Sequence, residues 1–324
     1  MRGVIAIGVL LALGLIFAAM ALLSGPSNIG WAQVADGLDP VESQIIFQLR
    51  LPRVIMAILA GSALAVSGVL MQTFFRNPLA EPYITGVSAG GALGAVAAGA
   101  FGLAGVLVIG SAALTGGALV TAALYLFALR SNTRSPLSIL LLGIALGTLC
   151  GALIWFILLR QGPGGTNEAI AWLLGRVSTV GYTEIVALLP AVVIGLALAV
   201  YYIPDLDALL LGEEKAASLG VDILAARRGI LGAAALLAAA CVAFCGVIAF
   251  VGLMVPHIAR GFLGATHARL LPLSAVGGAV LLLGVDLVAR TIDPPREIPL
   301  TVITSILGAP FFIVVLLRSK GLRW

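Results

Sequence analysis

The sequence has very little charge and few residues of the kinds that carry out chemistry. Only 10% of its 324 residues are charged, against about 25% in soluble domains, and 61% are hydrophobic. Its only lysines are Lys215 and Lys320, and neither lies in a G-x-x-x-x-G-K-[ST] loop, so the chain cannot hold a nucleotide in the P-loop manner. An H-E-x-x-H motif is also absent. The composition excludes a water-soluble globular protein and gives no support to a P-loop ATPase or a zinc protease.

The three cysteines do not indicate a metal or redox site. Cys150, Cys241 and Cys245 all lie within long apolar runs. The last two are four residues apart and share a helix face, but no histidine or acid lies nearby to complete a ligand set. We interpret them as packing residues, and the sequence predicts no metal or other cofactor bound by this chain.

The two histidines and the acid of the late apolar runs are assigned local roles. His257 lies in an apolar run, where a lone histidine is expected to be a hydrogen-bonded packing residue. His267 is expected in a solvated turn. Asp286 precedes Arg290 by four residues, the spacing of helical neighbours, so the two are expected to form an ion pair. The spans therefore offer no clear proton pathway.

Long apolar runs recur at the length that a membrane-crossing helix needs. A hydrocarbon core of about 30 Å requires about 20 helical residues, and the runs lack the alternation typical of a barrel. The predicted fold class is an all-α polytopic membrane protein with one transmembrane domain, 1–324. The first run is interpreted as a retained span, because its core exceeds the roughly 7–15 residues of a signal peptide. About ten spans are predicted: 3–23, 51–73, 85–104, 106–129, 137–159, 184–203, 229–250, 252–264, 270–290 and 299–317.

The basic residues are distributed unevenly between the two sides of this topology. With the N-terminus inside, twelve of the 18 Lys and Arg residues lie on the cytoplasmic side and six on the other. This bias follows the positive-inside rule and predicts cytoplasmic N- and C-termini in a cell membrane. Topology also explains the net charge of +4, because no basic block or stripe indicates nucleic-acid binding.

One long polar stretch, residues 204–228, interrupts the apolar sequence, and we call it the polar segment. It contains two short helical phrases, 206–212 and 213–219, and Gly220 is placed to cap the second. The topology puts the segment in the cytoplasm. A membrane protein that presents a pair of surface helices midway along its chain offers a contact for another protein.

A weak internal similarity indicates that the chain contains two related halves. Residues 65–69 resemble residues 243–247, and the glycine of each segment precedes a proline by ten residues. In the predicted topology the two copies run in opposite directions, as in the inverted repeats of secondary transporters. Ala- and Gly-rich spans resemble one another by composition alone, so the match leaves the question open.

Small residues recur at helical spacing in two of the predicted spans. Gly143, Gly147 and Gly151 are four residues apart along one span, as are Gly90 and Gly94 along another. Such positions allow helices to approach closely in lipid. They can equally form a smooth wall along a path for a bulky solute, and the sequence leaves both interpretations open.

Five segments in series carry a resemblance to a known family. They are LRLPRVIMAILAGSALAVSGVLMQTFFRNPLAEPYITGVSAGG (49–91), LLLGIALG (140–147), LGEEKAASLGV (211–221), GVIAFVGLMVPHIAR (246–260), and DLVAR with EIPLTVITSILGAPFF (286–312). The chain resembles the FecCD permeases of type II ABC importers, a family that includes the permease of the vitamin B12 importer. The resemblance implies a ten-helix permease that forms a homodimer around a central path. It also implies two separate ABC ATPase subunits that bind ATP and Mg, and a periplasmic or lipid-anchored substrate-binding protein.

The resemblance also implies roles for individual residues. Arg50, Arg53 and Arg290 match family arginines on the outer surface that pair with acids of the binding protein. Exposed pairs of this kind guide docking more than they hold it, and the alternative is that these side chains snorkel at helix ends. The element that couples the permease to the ATPase is matched by seven residues of the polar segment: Leu211, Gly212, Glu213, Glu214, Ala216, Leu219 and Gly220.

Two places depart from the family pattern. Where the B12-type permease has small hydroxyl residues that form a cytoplasmic gate, this chain has Ser135, Pro136, Leu137 and Ser138, so a gate is expected there with different side chains. Gly143 and Gly147 are expected to line the path beyond it. Arg176 is unusual in its loop, where it either caps a short outer helix or contacts an anionic substrate.

These observations predict a permease subunit, without enzymatic activity of its own, for ATP-driven uptake of a metal chelate across a bacterial or archaeal inner membrane. Ferric siderophore, cobalamin and haem are the candidate substrates, and the sequence does not distinguish them. The alternative is a stand-alone, ion-coupled secondary transporter, which rests on the possible inverted repeat.

Overall fold

The apolar runs fold into α-helices because lipid offers no partner for an unpaired backbone group. The computed structural model describes residues 2–25, 29–83, 85–130, 136–161, 169–170, 172–177, 181–294 and 296–318, and it contains no strand among them. Within these residues the main helices are α1 (Arg2–Leu23), α2 (Trp31–Asp36), α3 (Pro40–Gln44), α4 (Leu51–Phe74), α5 (Val87–Ala100), α6 (Val106–Arg130), α7 (Pro136–Arg160), α8 (Tyr182–Tyr201), α9 (Ile203–Leu210), α10 (Glu213–Ser218), α11 (Ile223–Cys245), α12 (Val251–Leu263), α13 (His267–Thr291) and α14 (Leu300–Arg318), with a π-helical stretch, Ile45–Arg50, before α4.

The helices confirm the predicted all-α membrane fold. Eight helices among the described residues are long and apolar enough to cross a membrane, and α5 and α12 are shorter apolar helices. Together they correspond to the ten predicted spans. The third span is shorter than predicted, because α5 ends at Ala100 and Gly102 follows with a φ of +74°.

Two helices, α4 and α11, form the centre of the bundle. In the most apolar 18-residue stretch of each, 78% of the residues are buried, whereas only 6% are buried in the corresponding stretch of α1. Serine hydroxyls join neighbouring helices here: the buried Ser67 Oγ donates to the carbonyl oxygen of Ala234 in α11 at 2.7 Å. Ser62 Oγ donates to the carbonyl oxygen of Ala275 in α13 at 3.0 Å. α4 is thus the helix around which the others are arranged.

Glycines bring the backbone of α4 into direct contact with two neighbours. A Cβ atom on Gly61 would overlap the carbonyl oxygen of Gly278 in α13, and a Cβ atom on Gly68 would overlap that of Gly252 in α12. Packing of this kind is typical of helices in lipid, where dispersion and close approach replace the hydrophobic effect as the main attraction.

The same order of helix lengths occurs twice in the chain, but the two segments of similar sequence do not occupy equivalent positions in it. Both α4–α7 and α11–α14 run long, short, long, long. Residues 65–69, however, lie in the interior of α4, whereas α11 ends at Cys245, within the matched segment 243–247. The matched residues therefore differ in local structure after Cys245, and the internal repeat stays a prediction.

Candidate functional site

The polar segment forms the two short helices that its sequence predicts, with ends that agree to within three residues. Leu206 and Ala216 are fully buried in the core of the bundle. Leu210, Leu211 and Leu219 are 37%, 58% and 66% exposed, respectively. One face of the segment thus holds it to the bundle, and the other presents apolar side chains that a partner could cover.

Two glycines shape the turns on either side of α10. Gly212 has a φ of +106° and a ψ of 152°, a combination that is essentially restricted to glycine. Gly220 has a φ of +88°. Its N–H donates to Ala217 O at 3.0 Å, and the N–H of Val221 donates to Ala216 O at 3.1 Å. These two bonds form a Schellman motif, so the prediction that Gly220 caps this helix is confirmed.

Glu213 ties α10 to neighbouring elements. Its Oε1 accepts a hydrogen bond from Arg227 Nη2 in α11, and Arg76 Nη2 lies 3.9 Å from the same oxygen. Arg76 also donates to the carbonyl oxygen of Leu209 at 3.3 Å. The carboxylate also suits the first turn of α10, where the helix dipole favours an acid. Solvent screens these partly exposed pairs, so each contributes at most about 1 kcal/mol, and their main effect is to orient α9 and α10.

His267 is buried, and the expectation that it lies in a solvated turn is wrong. It is the first residue of α13, and its exposed fraction is 0%. Its Nδ1 lies 2.6 Å from Asp207 Oδ1 in the polar segment, and its Nε2 lies 2.8 Å from Thr73 Oγ1 in α4. The sequence gives no sign of this contact, because its partners are 60 and 194 residues away.

At the other end of α13, Arg53 joins two acids in a cluster that is buried except at Glu297. Its Nε donates to Asp286 Oδ1 at 2.8 Å, and its Nη1 donates to Glu297 Oε1 at 2.6 Å. Asp286 is fully buried, and Arg290 Nε lies 3.8 Å from its Oδ2. The predicted pair of Asp286 with Arg290 is therefore present, but Arg53 is the closer partner.

Arg50 and Arg290 hold the last turn of α1. Arg50 Nη1 donates to the carbonyl oxygens of Leu22 and Leu23, both at 2.8 Å. Arg290 Nη2 donates to the carbonyl oxygen of Ala21. These carbonyls have no partner within their own helix, and cations are favoured at this negative end of the dipole.

The three arginines predicted to dock a binding protein are thus buried rather than exposed. Arg50, Arg53 and Arg290 are only 5%, 9% and 6% exposed, because α1 and the residues after α13 cover them. The expectation of exposed surface pairs or of snorkelling side chains is corrected accordingly. Their part in docking stays a prediction. Because the arginines are buried, a binding protein would have to influence them through the residues that cover them.

Glu81 is a buried acid to which the sequence analysis assigned no role. It lies in the connector between α4 and α5, is 7% exposed, and its Oε2 accepts the backbone N–H of Phe250 at 3.2 Å. Phe250 has a left-handed backbone, with a φ of +66°, and directly precedes α12. Burial raises the pKa of Glu81 to about 7, and the hydrogen bond from Phe250 offsets part of that rise. The carboxyl group thus fixes the turn that starts α12.

Replacing Glu81 with glutamine is expected to stabilise the protein at alkaline pH. The ordinary pKa is 4.5 and the folded value is about 7, so only the unfolded chain loses the proton between these values. Native Glu81 therefore reduces stability as pH rises through this window, by up to about 3 kcal/mol above pH 7. Denaturant unfolding of wild type and Glu81→Gln at pH 4 and pH 8 measures the difference, with Glu214→Gln, an exposed acid, as control. If the two proteins differ in free energy of unfolding by the same amount at pH 4 and pH 8, the prediction is contradicted.

One of the four predicted gate residues lies outside the described residues. Ser135 is not among them, and Pro136, Leu137 and Ser138 form the first turn of α7. Gly143 and Gly147 pack α7 against the start of α5: a Cβ atom on Gly143 would lie 2.8 Å from Thr85 O, and one on Gly147 would lie 3.3 Å from Gly86 Cα. Of the two open interpretations, close packing is the one seen for these glycines, and a role for them in the path stays a prediction.

The segment around Arg176 is held by its backbone. The N–H of Arg176 donates to Cys245 O at 2.9 Å, and the carbonyl oxygens of Leu174 and Gly175 each accept a bond from the first turn of α14 at 3.2 Å. These bonds join the segment to the end of α11 and the start of α14. The two roles predicted for the Arg176 side chain stay open.

Residues 86–90 have the G-x-S-x-G spacing of hydrolase nucleophiles, but their surroundings do not support that chemistry. Ser88 is buried, at 4% exposure. Both histidines of the chain make other contacts: the ring of His257 lies 5.8 Å from that of Phe311, and His267 is bonded as described above. This serine is a packing residue at the start of α5.

Comparisons with known proteins agree with this architecture. The sequence matches the FecCD transport family over residues 10–318. It is 40% identical to the cobalamin import system permease protein BtuC of Halobacterium salinarum, over 89% of this chain and 77% of the relative. It is 39% identical to the Fe(3+) dicitrate transport system permease protein FecD of Escherichia coli, over 85% of this chain and 86% of the relative. A solved metal-chelate type ABC transporter in an inward-facing conformation matches with a TM-score of 0.88 and 32% identity, over 97% of this chain and 99% of its own. This chain therefore belongs to the FecCD transport family.

Proposed function

We propose that this protein is the permease subunit of an ATP-driven importer for a metal chelate. The observation that carries the proposal is the polar segment, which presents exposed leucines at the ends of two helices whose buried side chains, Leu206 and Ala216, pack into the bundle. The chain has no P-loop, so ATP and Mg are bound by a separate ABC ATPase that covers these leucines. The relatives, which are named as permease proteins of import and transport systems, support this assignment.

The cargo is proposed as a class rather than a compound. Relatives are named for cobalamin, Fe(3+) dicitrate and hemin, which are all metal chelates. Ferric siderophore, cobalamin and haem are therefore the candidate substrates. A path walled by small apolar residues contacts its solute without fixed polar groups, so a separate substrate-binding protein selects among them.

The assembly follows from the family resemblance. Two copies of the chain form the path between them, two ATPases lie on the cytoplasmic side, and the binding protein docks on the opposite face. The protein resides in the inner membrane with both termini in the cytoplasm. Exposed apolar side chains on α7 and α14, such as Leu153 and Ile306, are available for the second copy and for membrane lipid.

The proposed mechanism is gating rather than bond-making. ATP binding brings the two ATPases together and moves α9 and α10 of each permease with them. Because Glu213, Arg227 and Arg76 tie these helices to α11 and to the end of α4, the displacement reaches the membrane helices. The path opens alternately to the two sides as these helices tilt.

Vesicles test the proposal directly. The permease is reconstituted with its ATPase and binding protein, and uptake of cobalamin, hemin and ferric citrate is measured with ATP, with a non-hydrolysable analogue and with an ion gradient alone. We expect uptake of at least one chelate that requires ATP. Uptake by the isolated permease under an ion gradient without ATP would overturn the proposal in favour of a secondary transporter. Sidedness is tested by labelling a Glu214→Cys variant in sealed cells, where labelling by an impermeant reagent from outside would exclude a cytoplasmic polar segment.

A further inference from the structure

Three parts of the chain meet at one buried histidine. His267 begins α13, Asp207 lies in α9 of the polar segment, and Thr73 lies in the last turn of α4. Asp207 Oδ1 is 2.6 Å from His267 Nδ1 and also accepts the backbone N–H of His267 at 2.9 Å. His267 Nε2 is 2.8 Å from Thr73 Oγ1. The His267 side chain thus joins the polar segment to its own helix, α13, and to α4.

The hydrogen-bond chemistry fixes most of the proton positions. An ionised carboxylate only accepts, so Nδ1–H donates to Asp207. Thr73 Oγ1 lies 2.9 Å from the carbonyl oxygen of Val69. If the Thr73 hydroxyl donates there, His267 Nε2–H donates to Thr73. If the histidine is neutral at Nε2, Thr73 donates to the ring instead. The ring bridges Asp207 and Thr73 in either case, so the contact does not depend on one protonation state.

Asp207 also completes the start of α13. The first N–H groups of a helix have no partner within it, and Thr266, the capping residue, makes no side-chain cap bond. The carboxylate of Asp207 supplies an acceptor for His267 N–H, and a negative charge is favoured at this end of the helix dipole. A helix of the polar segment therefore caps a membrane helix 60 residues further along the chain.

We propose that Asp207 and His267 are positioning residues that transmit displacement of the polar segment to α13 and α4. This inference rests on the proposed function and specifies how the ATPase is coupled to the path. Glu213 and Arg76 also hold the segment, but their contacts go to α11, to α9 and to each other rather than to α13. Without the His267 bridge, the segment stays folded and docked while α13 no longer follows it. ATP hydrolysis then continues with less transport.

The complete complex in proteoliposomes tests the inference through two readouts, ATPase activity stimulated by the binding protein and chelate uptake. For Asp207→Ala and His267→Ala we expect the ratio of uptake to ATP hydrolysed to fall about fivefold or more, within the usual range of coupling free energies. ATPase activity itself is expected to stay within about twofold, because the leucines that face the ATPase are unchanged. Asp207→Asn keeps an oxygen acceptor and should retain most of the ratio.

Two further variants separate coupling from general damage. The double variant Asp207→Ala/His267→Ala should lower the ratio about as much as either single change, because the two residues act through one contact. His257→Ala is the matched control: this half-buried histidine contacts Phe311 and should leave the ratio unchanged. Thr73→Val, a near-isosteric change, covers the case in which the alanine variants do not fold, and it should also lower the ratio.

The possible outcomes distinguish the inference from the function beneath it. A parallel fall of uptake and ATPase activity in folded variants, or an unchanged ratio in all of them, overturns the link while leaving the importer intact. Absence of ATP-driven uptake by the wild-type complex overturns the proposed function, and the inference with it. The link is supported if the ratio of uptake to ATP hydrolysed falls in the alanine variants, falls less in Asp207→Asn, and does not fall in His257→Ala.

Discussion

Gly212→Val is expected to lower ATP-driven uptake by roughly tenfold while leaving the membrane helices folded. At φ +106° and ψ 152°, Gly212 occupies a region that costs a residue with a side chain about 1–3 kcal/mol. A Cβ atom at this position would meet nothing within 4 Å, so the effect is conformational rather than steric. The turn between α9 and α10 must rearrange to relieve this strain, and the exposed Leu211 then moves relative to the ATPase.

Gly105→Val is the matched control for Gly212→Val. Gly105 has a φ of +103°, also with open space around its Cβ position, but it lies in the connector between α5 and α6. Uptake of cobalamin, hemin or ferric citrate and thermal unfolding are measured for both variants in the reconstituted complex. Comparable loss of uptake in the two variants, or full uptake by Gly212→Val, would contradict the coupling role of this turn.

Asp286→Ala is expected to reduce the free energy of unfolding by about 3–5 kcal/mol, the usual cost of removing one partner from a buried ion pair. Asp286 is fully buried, and its Oδ1 and Oδ2 share the single N–H of Arg53 Nε, at 2.8 Å and 3.1 Å. Without it, Arg290 loses its acidic partner and Arg53 keeps only Glu297, while both arginines remain buried. The loss is measured by denaturant unfolding in detergent.

Two variants control the interpretation of Asp286→Ala. Asp293→Ala removes an exposed acid two residues after α13 and should change stability by less than about 0.5 kcal/mol. Arg53→Met combined with Asp286→Leu replaces both charges with apolar groups and should recover part of the lost stability. If Asp286→Ala is no less stable than Asp293→Ala, the cluster does not hold this end of the bundle.

The buried cluster also changes how docking must be tested. Charge reversal of Arg50, Arg53 or Arg290 places a carboxylate against the terminal carbonyls of α1 or against Asp286, so the variant is expected to misfold. Loss of stimulation by the binding protein in such variants therefore does not by itself identify a docking residue. Unfolding measurements on the same preparations separate the two causes.

The sequence predicts the membrane helices well because length and hydropathy are local properties. The polar segment is equally readable: its two helical phrases and the glycine that ends the second lie within a few residues of their observed positions. Helix-period patterning and glycine conformational preference act over a single turn, so both can be read from neighbouring residues.

The missed residues depend instead on distant parts of the chain. Hydropathy places His267 at the start of a span but cannot show that Asp207 and Thr73 enclose it. The same limitation applies to Arg50 and Arg290, whose position at helix ends is readable while the cover provided by the end of α1 is not. Glu81 lies between Ala80 and Pro82 in the first of the five segments that resemble the family, and an acid in a short apolar connector is the signal that indicates a role for it.

The direct backbone contacts of α4 with α12 and α13 constrain the transport cycle. Where Gly61 lies on Gly278 and Gly68 lies on Gly252, there are no side chains that could change rotamer and let one helix slide past the other. Sliding is therefore opposed at these two crossings, and movement of α12 or α13 against α4 is limited to pivoting about them. We therefore expect the larger relative movements of the transport cycle among the less buried helices, α1, α6, α7, α8 and α14.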